Sequence, residues 1–150
     1  MQTRGAIYHH KDMKFYNGGV AHKYLILLNT PDKADPYLFV KTTTQKKSRL
    51  SNPGCIKKHK CFFIKSGTAF FPKDTWVLLH EIYEIHPNKV DTNSDITILK
   101  DELKHEVIEG IVNCLFKVSG QEIPGSQKKL LRPPMEESLL KLQAKFTQNR

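Results

Sequence analysis

The sequence predicts a mainly β domain that finishes in helices, and three observations carry that expectation. Up to residue 86 the apolar residues come in short runs rich in β-branched and aromatic side chains. Those runs are separated by turn-forming clusters, "NGG", "NTPDKADP", "SNPG" and "KSG". Beyond "HPNKVDTNSD" the apolar residues fall four apart, which is the spacing of an amphipathic helix.

Taken in order, the candidate strands are "GAIYHH" (5–10), "KYLILLN" (23–29), "YLFVKTTT" (37–44), "CFFIK" (61–65), "TWVLLHE" (75–81) and "YEIH" (83–86). Several are apolar on both faces, so short strands with two-sided burial predict a small, strongly curved sheet or barrel. Leu99, Leu103, Val107, Ile111 and Leu115 then repeat at four, and Ile108, Val112 and Phe116 widen the stripe. This predicts a helix over 101–118, with Gly120 placed to end it. "QEIPGSQKKLLRPP" reads as a loop. "PMEESLLKLQAKF" reads as a second helix, with Pro134 in its first turn and Glu136 and Glu137 complementing its dipole. The chain thus divides into a β domain with its helix, 1–120, and an extension, 121–150.

At 150 residues a single core of proper size is expected. No run approaches the roughly 18–20 apolar residues of a membrane span. "MQTRGAIYHHKDMKF" lacks the apolar core of a signal peptide, so no membrane partner and a cytoplasmic setting are expected. The odd set Cys55, Cys61 and Cys114 then predicts reduced thiols rather than a disulfide framework. Cys55, His59 and Cys61 lack the paired spacing and the fourth ligand of a zinc site, so neither metal nor cofactor is expected.

The charge is more informative. Lys and Arg outnumber Asp and Glu by 24 to 15, a net +9. Lys41, Lys46, Lys47, Arg49, Lys57, Lys58 and Lys60 fall within twenty residues, while the acidic residues lie mostly later. A basic face points to a polyanionic partner, nucleic acid first. In "YLFVKTTTQKKSR" a buried strand runs straight into three hydroxyls and this basic burst. Strand propensity and a solvated turn explain the pattern blandly. A phosphate site explains it more sharply. Strand alternation puts Thr42 and Thr44 on one face and Thr43 on the other, so the three hydroxyls cannot share one groove on a regular strand.

The order of these features resembles the MazF/PemK (Kid-type) toxins over residues 4–118. An opening strand at Gly5 leads to the glycine-containing "YNGGVAHK", then to "YLILLN", "VKTTTQ", "TWVLLHEIYEI" and the amphipathic helix. The resemblance implies an SH3-like barrel, a homodimer, an antitoxin protein that occludes the groove, and cleavage of single-stranded RNA or mRNA. Lys23 and Tyr24 stand where those toxins have an arginine, often followed by proline. Thr43 and Thr44 match the groove-lining hydroxyls, with Gln45 beside them. Leu78 and His80 stand where one branch has a catalytic arginine and an aspartate.

Cleavage by an internal 2′-hydroxyl needs a base, an acid and charge stabilisation at phosphorus, and it requires no metal. The candidate catalytic residues are therefore Lys23 for charge, Thr43 and Thr44 for hydroxyl contacts, and His22 or His80 for proton transfer. Gln45, Lys41, Lys46, Lys47, Arg49, Lys57 and Lys58 are the candidate RNA-binding residues. His9 or His10 could face the groove, and one aromatic of each pair in "CFFIK" and "AFFPK" could stack a base. Two other functions fit the same composition: a catalytically silent nucleic-acid-binding module, and a protein-interaction domain in which the barrel and 121–150 dock a partner.

Overall fold

The computed structural model describes residues 3–14 and 20–132, with the side chains of 3–11 and 23–132. Eight strands form one antiparallel sheet: β1 (Ala6–Lys14), β2 (Val20–Leu27), β3 (Tyr37–Thr43), β4 (Gly54–Ile56), β5 (Cys61–Ile64), β6 (Thr75–Leu78), β7 (Tyr83–Ile85) and β8 (Ile96–Glu102). Their order is β4-β5-β6-β3-β2-β1-β8, with β7 pairing β3 beside β6. Helices α1 (Pro87–Thr92), α2 (His105–Ser119) and α3 (Gly125–Leu131) complete the described chain. A mainly β architecture with C-terminal helices is what the sequence predicted. The second helix expected over 134–146 lies outside the described residues.

Side-chain alternation gives the sheet two faces. Ile7, Ile26, Leu28, Leu38, Val40, Ile64, Val77 and Leu79 point inward and bury against Ile108, Ile111, Val112 and Leu115 of α2. Each leucine or isoleucine buried this way contributes roughly 1.5–3 kcal/mol. Gly110 sits where a Cβ would meet the Phe62 ring at 3.0 Å, so its missing side chain lets that ring pack on the helix. At the start of β1, Gly5 takes φ +97°, and a Cβ there would lie 2.9 Å from the Leu103 carbonyl oxygen. Its backbone bonds both Leu27 and Leu103, which ties β1 to β2 and to the turn before α2.

Several expectations need correction. Residues 96–102 form β8, paired with β1, and α2 starts only at His105. Leu99 and Leu103 continue the helix spacing by coincidence; the edge of β1 offers the segment a hydrogen-bonded ladder that a longer helix would forfeit. Gly120 does end α2, as its C-cap after Ser119, though with a right-handed conformation (φ −57°) that leads straight into a 3-10 turn, Gly120–Glu122. The loop expected from 121 holds the rest of that turn and then α3, and Arg132, which caps α3, stacks on Phe116 and donates to Asn113.

The thiol expectation fails as well. Cys55 and Cys114 are joined in a disulfide, because β4 packs beside α2 and brings their Cα atoms to 5.4 Å. Cys61 is a free, buried thiol. The Cys55–His59–Cys61 grouping is therefore no ligand set, and among the described residues no group of three or more His, Cys, Asp or Glu is placed to hold a metal. Among those residues, too, no helix is long and apolar enough to cross a membrane.

Candidate functional site

The outward face of the sheet carries two separate apolar clusters. Tyr8, Leu25, Leu27, Tyr37 and Phe39 form the first, covered by Val90 of α1. Ile56, Cys61, Phe63, Trp76 and Leu78 form the second. Following β3 outward-facing residue by residue, the chain reads Tyr37, Phe39, Lys41, Thr43; β2 reads Leu27, Leu25, Lys23. The polar residues therefore form a seam between the two clusters.

The ladder register fixes the order of that seam. Lys41 lies opposite Leu25, and Lys23 lies opposite His10. Thr43 lies opposite Trp76, which in turn lies opposite Phe63. Extending the β2–β3 register by one residue pair on the same face sets Lys23 across from Thr43. The 44–50 turn folds over the end of the second cluster, held by a bond from the Trp76 indole nitrogen to the Leu50 carbonyl (2.8 Å). Arg49 Nη1 donates to the Gln45 carbonyl (2.9 Å), which fixes the guanidinium within this turn.

Electrostatics tie the same residues together. Desolvation, then the charges of Lys41, Lys47 and Arg49, holds the Lys23 ammonium below the ordinary lysine value. His80 follows β6 at the corner where β3 exchanges β7 for β6 as its neighbour. Solvent reaches its ring, yet partial desolvation and then Lys41 push its pKa down; Glu81 opposes the shift, while Arg49 and Lys60 add to it. Near neutral pH this histidine is an uncharged imidazole able to accept a proton. Lys41 Nζ lies 5.9 Å from the centre of the Tyr83 ring, whose hydroxyl donates to Glu81 (3.1 Å). Burial and that bond raise the pKa of Tyr83 and keep it neutral.

The seam thus gathers Lys23, Lys41, Lys47, Arg49 and His80. The three threonines part company, as strand alternation requires. Thr42 points inward and donates to the Tyr24 carbonyl (2.9 Å). Thr43 faces the seam but is covered, and its Oγ1 accepts the Gln45 amide (3.2 Å), so it anchors the turn. Thr44, Gln45, Lys46 and Lys47 are exposed. Lys57 and Lys58 are exposed on a short 3-10 turn (Lys57–His59) against α2. His22 belongs to β2, and its side chain is outside the described set.

The register separates the paired histidines too. His9 tilts against Tyr24 with ring centres 5.0 Å apart, whereas His10 shares the seam's face with Lys23. Phe62 and Phe63 likewise split, one toward α2 and one into the second outer cluster. Sequence reasoning had no way to choose His10 over His9, or to find Tyr83, without the pairing register. No family model and no curated protein sequence matches this chain.

Proposed function

We propose that the protein is an endoribonuclease that cuts single-stranded RNA through the RNA's own 2′-hydroxyl, on an SH3-like barrel of the MazF/PemK kind that its sequence resembles. The observation that carries this is the seam: a lysine and a histidine, both with depressed pKa values, share Lys41 and Arg49 as charged neighbours. The neutral His80 imidazole takes the proton of the 2′-hydroxyl. The freed oxygen bonds to the adjacent phosphorus, and the bond from phosphorus to the 5′-oxygen breaks. Lys23, whose ammonium gives up its proton more readily than an ordinary lysine, protonates that leaving oxygen. The products are a 2′,3′-cyclic phosphate and a 5′-hydroxyl. Lys41, Lys47 and Arg49 counter the charge that grows on the phosphoryl oxygens, and the Thr44 hydroxyl and Gln45 amide stand exposed beside them. Thr43 acts by holding the turn that carries these groups.

This route draws its charge and its protons from side chains alone, so it proceeds without a metal. A homodimer and an antitoxin protein that occludes the seam complete the proposal; both rest on the resemblance. One observation favours the silent RNA-binding module instead. The Thr43 hydroxyl is covered and already bonded, and lysine at 23 lacks the two-pronged grip of arginine.

The deciding experiment incubates the protein, Lys23→Ala and His80→Ala with a long mixed-sequence single-stranded RNA in EDTA. Discrete fragments with 5′-hydroxyl ends, lost in both variants, support the ribonuclease. Intact RNA with tight, salt-dependent binding selects the silent module. Neither cutting nor binding removes both.

A further inference from the structure

Next to the seam lies a cleft of about 440 Å³ that the catalytic proposal leaves unused. His10, Ile96, Ile85, His86, Lys89 and Asn93 line it. His10 is the link between the two. It is the cross-strand partner of Lys23 on one side and of Ile96 on the other. From Thr43 across β2 to His10 is two strand spacings, about 9.6 Å. A strand of RNA crossing the seam at Lys23 would therefore come up to the His10 edge of the cleft.

From the seam and this cleft together we infer that the cleft is a second nucleotide subsite, receiving a neighbouring nucleotide of the same single-stranded RNA. The inference rests on the RNA proposal above and extends it. His86 and Asn93 cap the two ends of α1, and both line the cleft together with Lys89 of the helix. His86 Nδ1 accepts the Asn88 amide (3.1 Å) at the head of α1, which leaves the proton of the neutral ring on Nε2. That nitrogen and the exposed Lys89 ammonium are donors suited to a phosphate, while Ile85 and Ile96 offer apolar walls to a base or ribose. Glu84 enters the lining but turns its carboxylate the other way. It pairs with Leu38 of the inward set, and its Oε1 accepts Gln127 Nε2 (3.3 Å). The side chains named as donors are thus basic or neutral, matched to an anionic strand.

The test titrates a labelled ten-nucleotide mixed-sequence RNA into the parent protein, Lys23→Ala, and a double variant, Lys89→Ala with His86→Asn. Asparagine keeps a capping acceptor at residue 86, so α1 is preserved. The double variant is expected to bind about tenfold more weakly. Its log–log salt slope should be shallower by about 0.7, one single-strand phosphate contact. In the parent, the imidazole NMR signals of His10 and His86 should both move on adding RNA, a readout that needs no variant. Parent-like affinity in the double variant, or an unmoved His86 signal, overturns the subsite; weaker binding by Lys23→Ala then leaves the RNA proposal standing. A parent protein that binds no RNA overturns both.

Discussion

The two faces of β2, β3 and β6 are built from alternate residues of the same strands, yet they differ along their length. On the inward face the strands stay apolar through their middle, Ile26 and Leu28, Leu38 and Val40, Val77 and Leu79, and the inward Thr42 at the end of β3 is buried and hydrogen-bonded. On the outward face the apolar residues give way partway along. Leu25 is followed toward the strand end by Lys23, Phe39 by Lys41, and Leu78 by His80. A core needs no such change, and a plain solvated face would not bury two apolar clusters on either side of it. The inward face therefore reports on stability, and the outward seam is where the proposed RNA recognition would act.

Substitutions should separate these roles, beginning with the largest expected effect. Leu115→Ala removes a fully buried side chain of α2 and should cost about 2–5 kcal/mol, with little change in RNA affinity where the protein remains folded. Denaturant titration beside an RNA-binding curve checks both halves. Replacing Cys55 and Cys114 together by serine frees a sequence separation of 59 residues and should cost about 2–4 kcal/mol. A similar loss on adding reductant to the parent, and none in the double serine variant, would attribute it to the disulfide. Gly5→Ala meets both a left-handed φ and the Leu103 carbonyl, and should lower stability by about 1–3 kcal/mol. Lys23→Ala and Lys41→Ala should change stability by no more than about 0.5 kcal/mol while weakening RNA binding and flattening its salt dependence.

The smallest effect is the dependence on pH. The folded protein holds the His80 pKa below its unfolded value of 6.5. Between those two values the unfolded chain binds more protons, so stability rises with pH through that window and is lost as pH falls below 6.5. Comparing urea midpoints of the parent and His80→Ala from pH 5 to 8 should show a parent-only decline on the acid side. Cleavage by the parent should follow the same sense, with an acid limb whose midpoint lies below 6.5.

The sequence revealed most where one residue pattern admitted a single structure. In 37–43 the apolar residues occupy both faces, and the strand was legible with nearly its observed bounds. β4 escaped because "GCI" is too short to show a period and exists only through its pairing with β5. β8 escaped because Leu99 and Leu103 fit the spacing of α2, while the alternation of Ile96 and Ile98 is brief. The disulfide depends on β4 meeting α2 across 59 residues, a distance no local pattern spans. The candidate site divides in the same way. Alternation alone separated Thr42 from Thr43. The choice of His10, the placing of Lys41 over Tyr83 and the gathering of Arg49 with Lys23 all required the strand register.

The central claim is that the outward seam, and not the α2 side, meets RNA. Backbone NMR of isotopically labelled protein, titrated with a short single-stranded RNA, tests it most directly. The account predicts perturbations at Lys23, Lys41, His80 and along 44–49, reaching His10 and His86 at the far end, with the exposed side of α2 unmoved. Perturbations centred on α2, or none at saturating RNA, would contradict it.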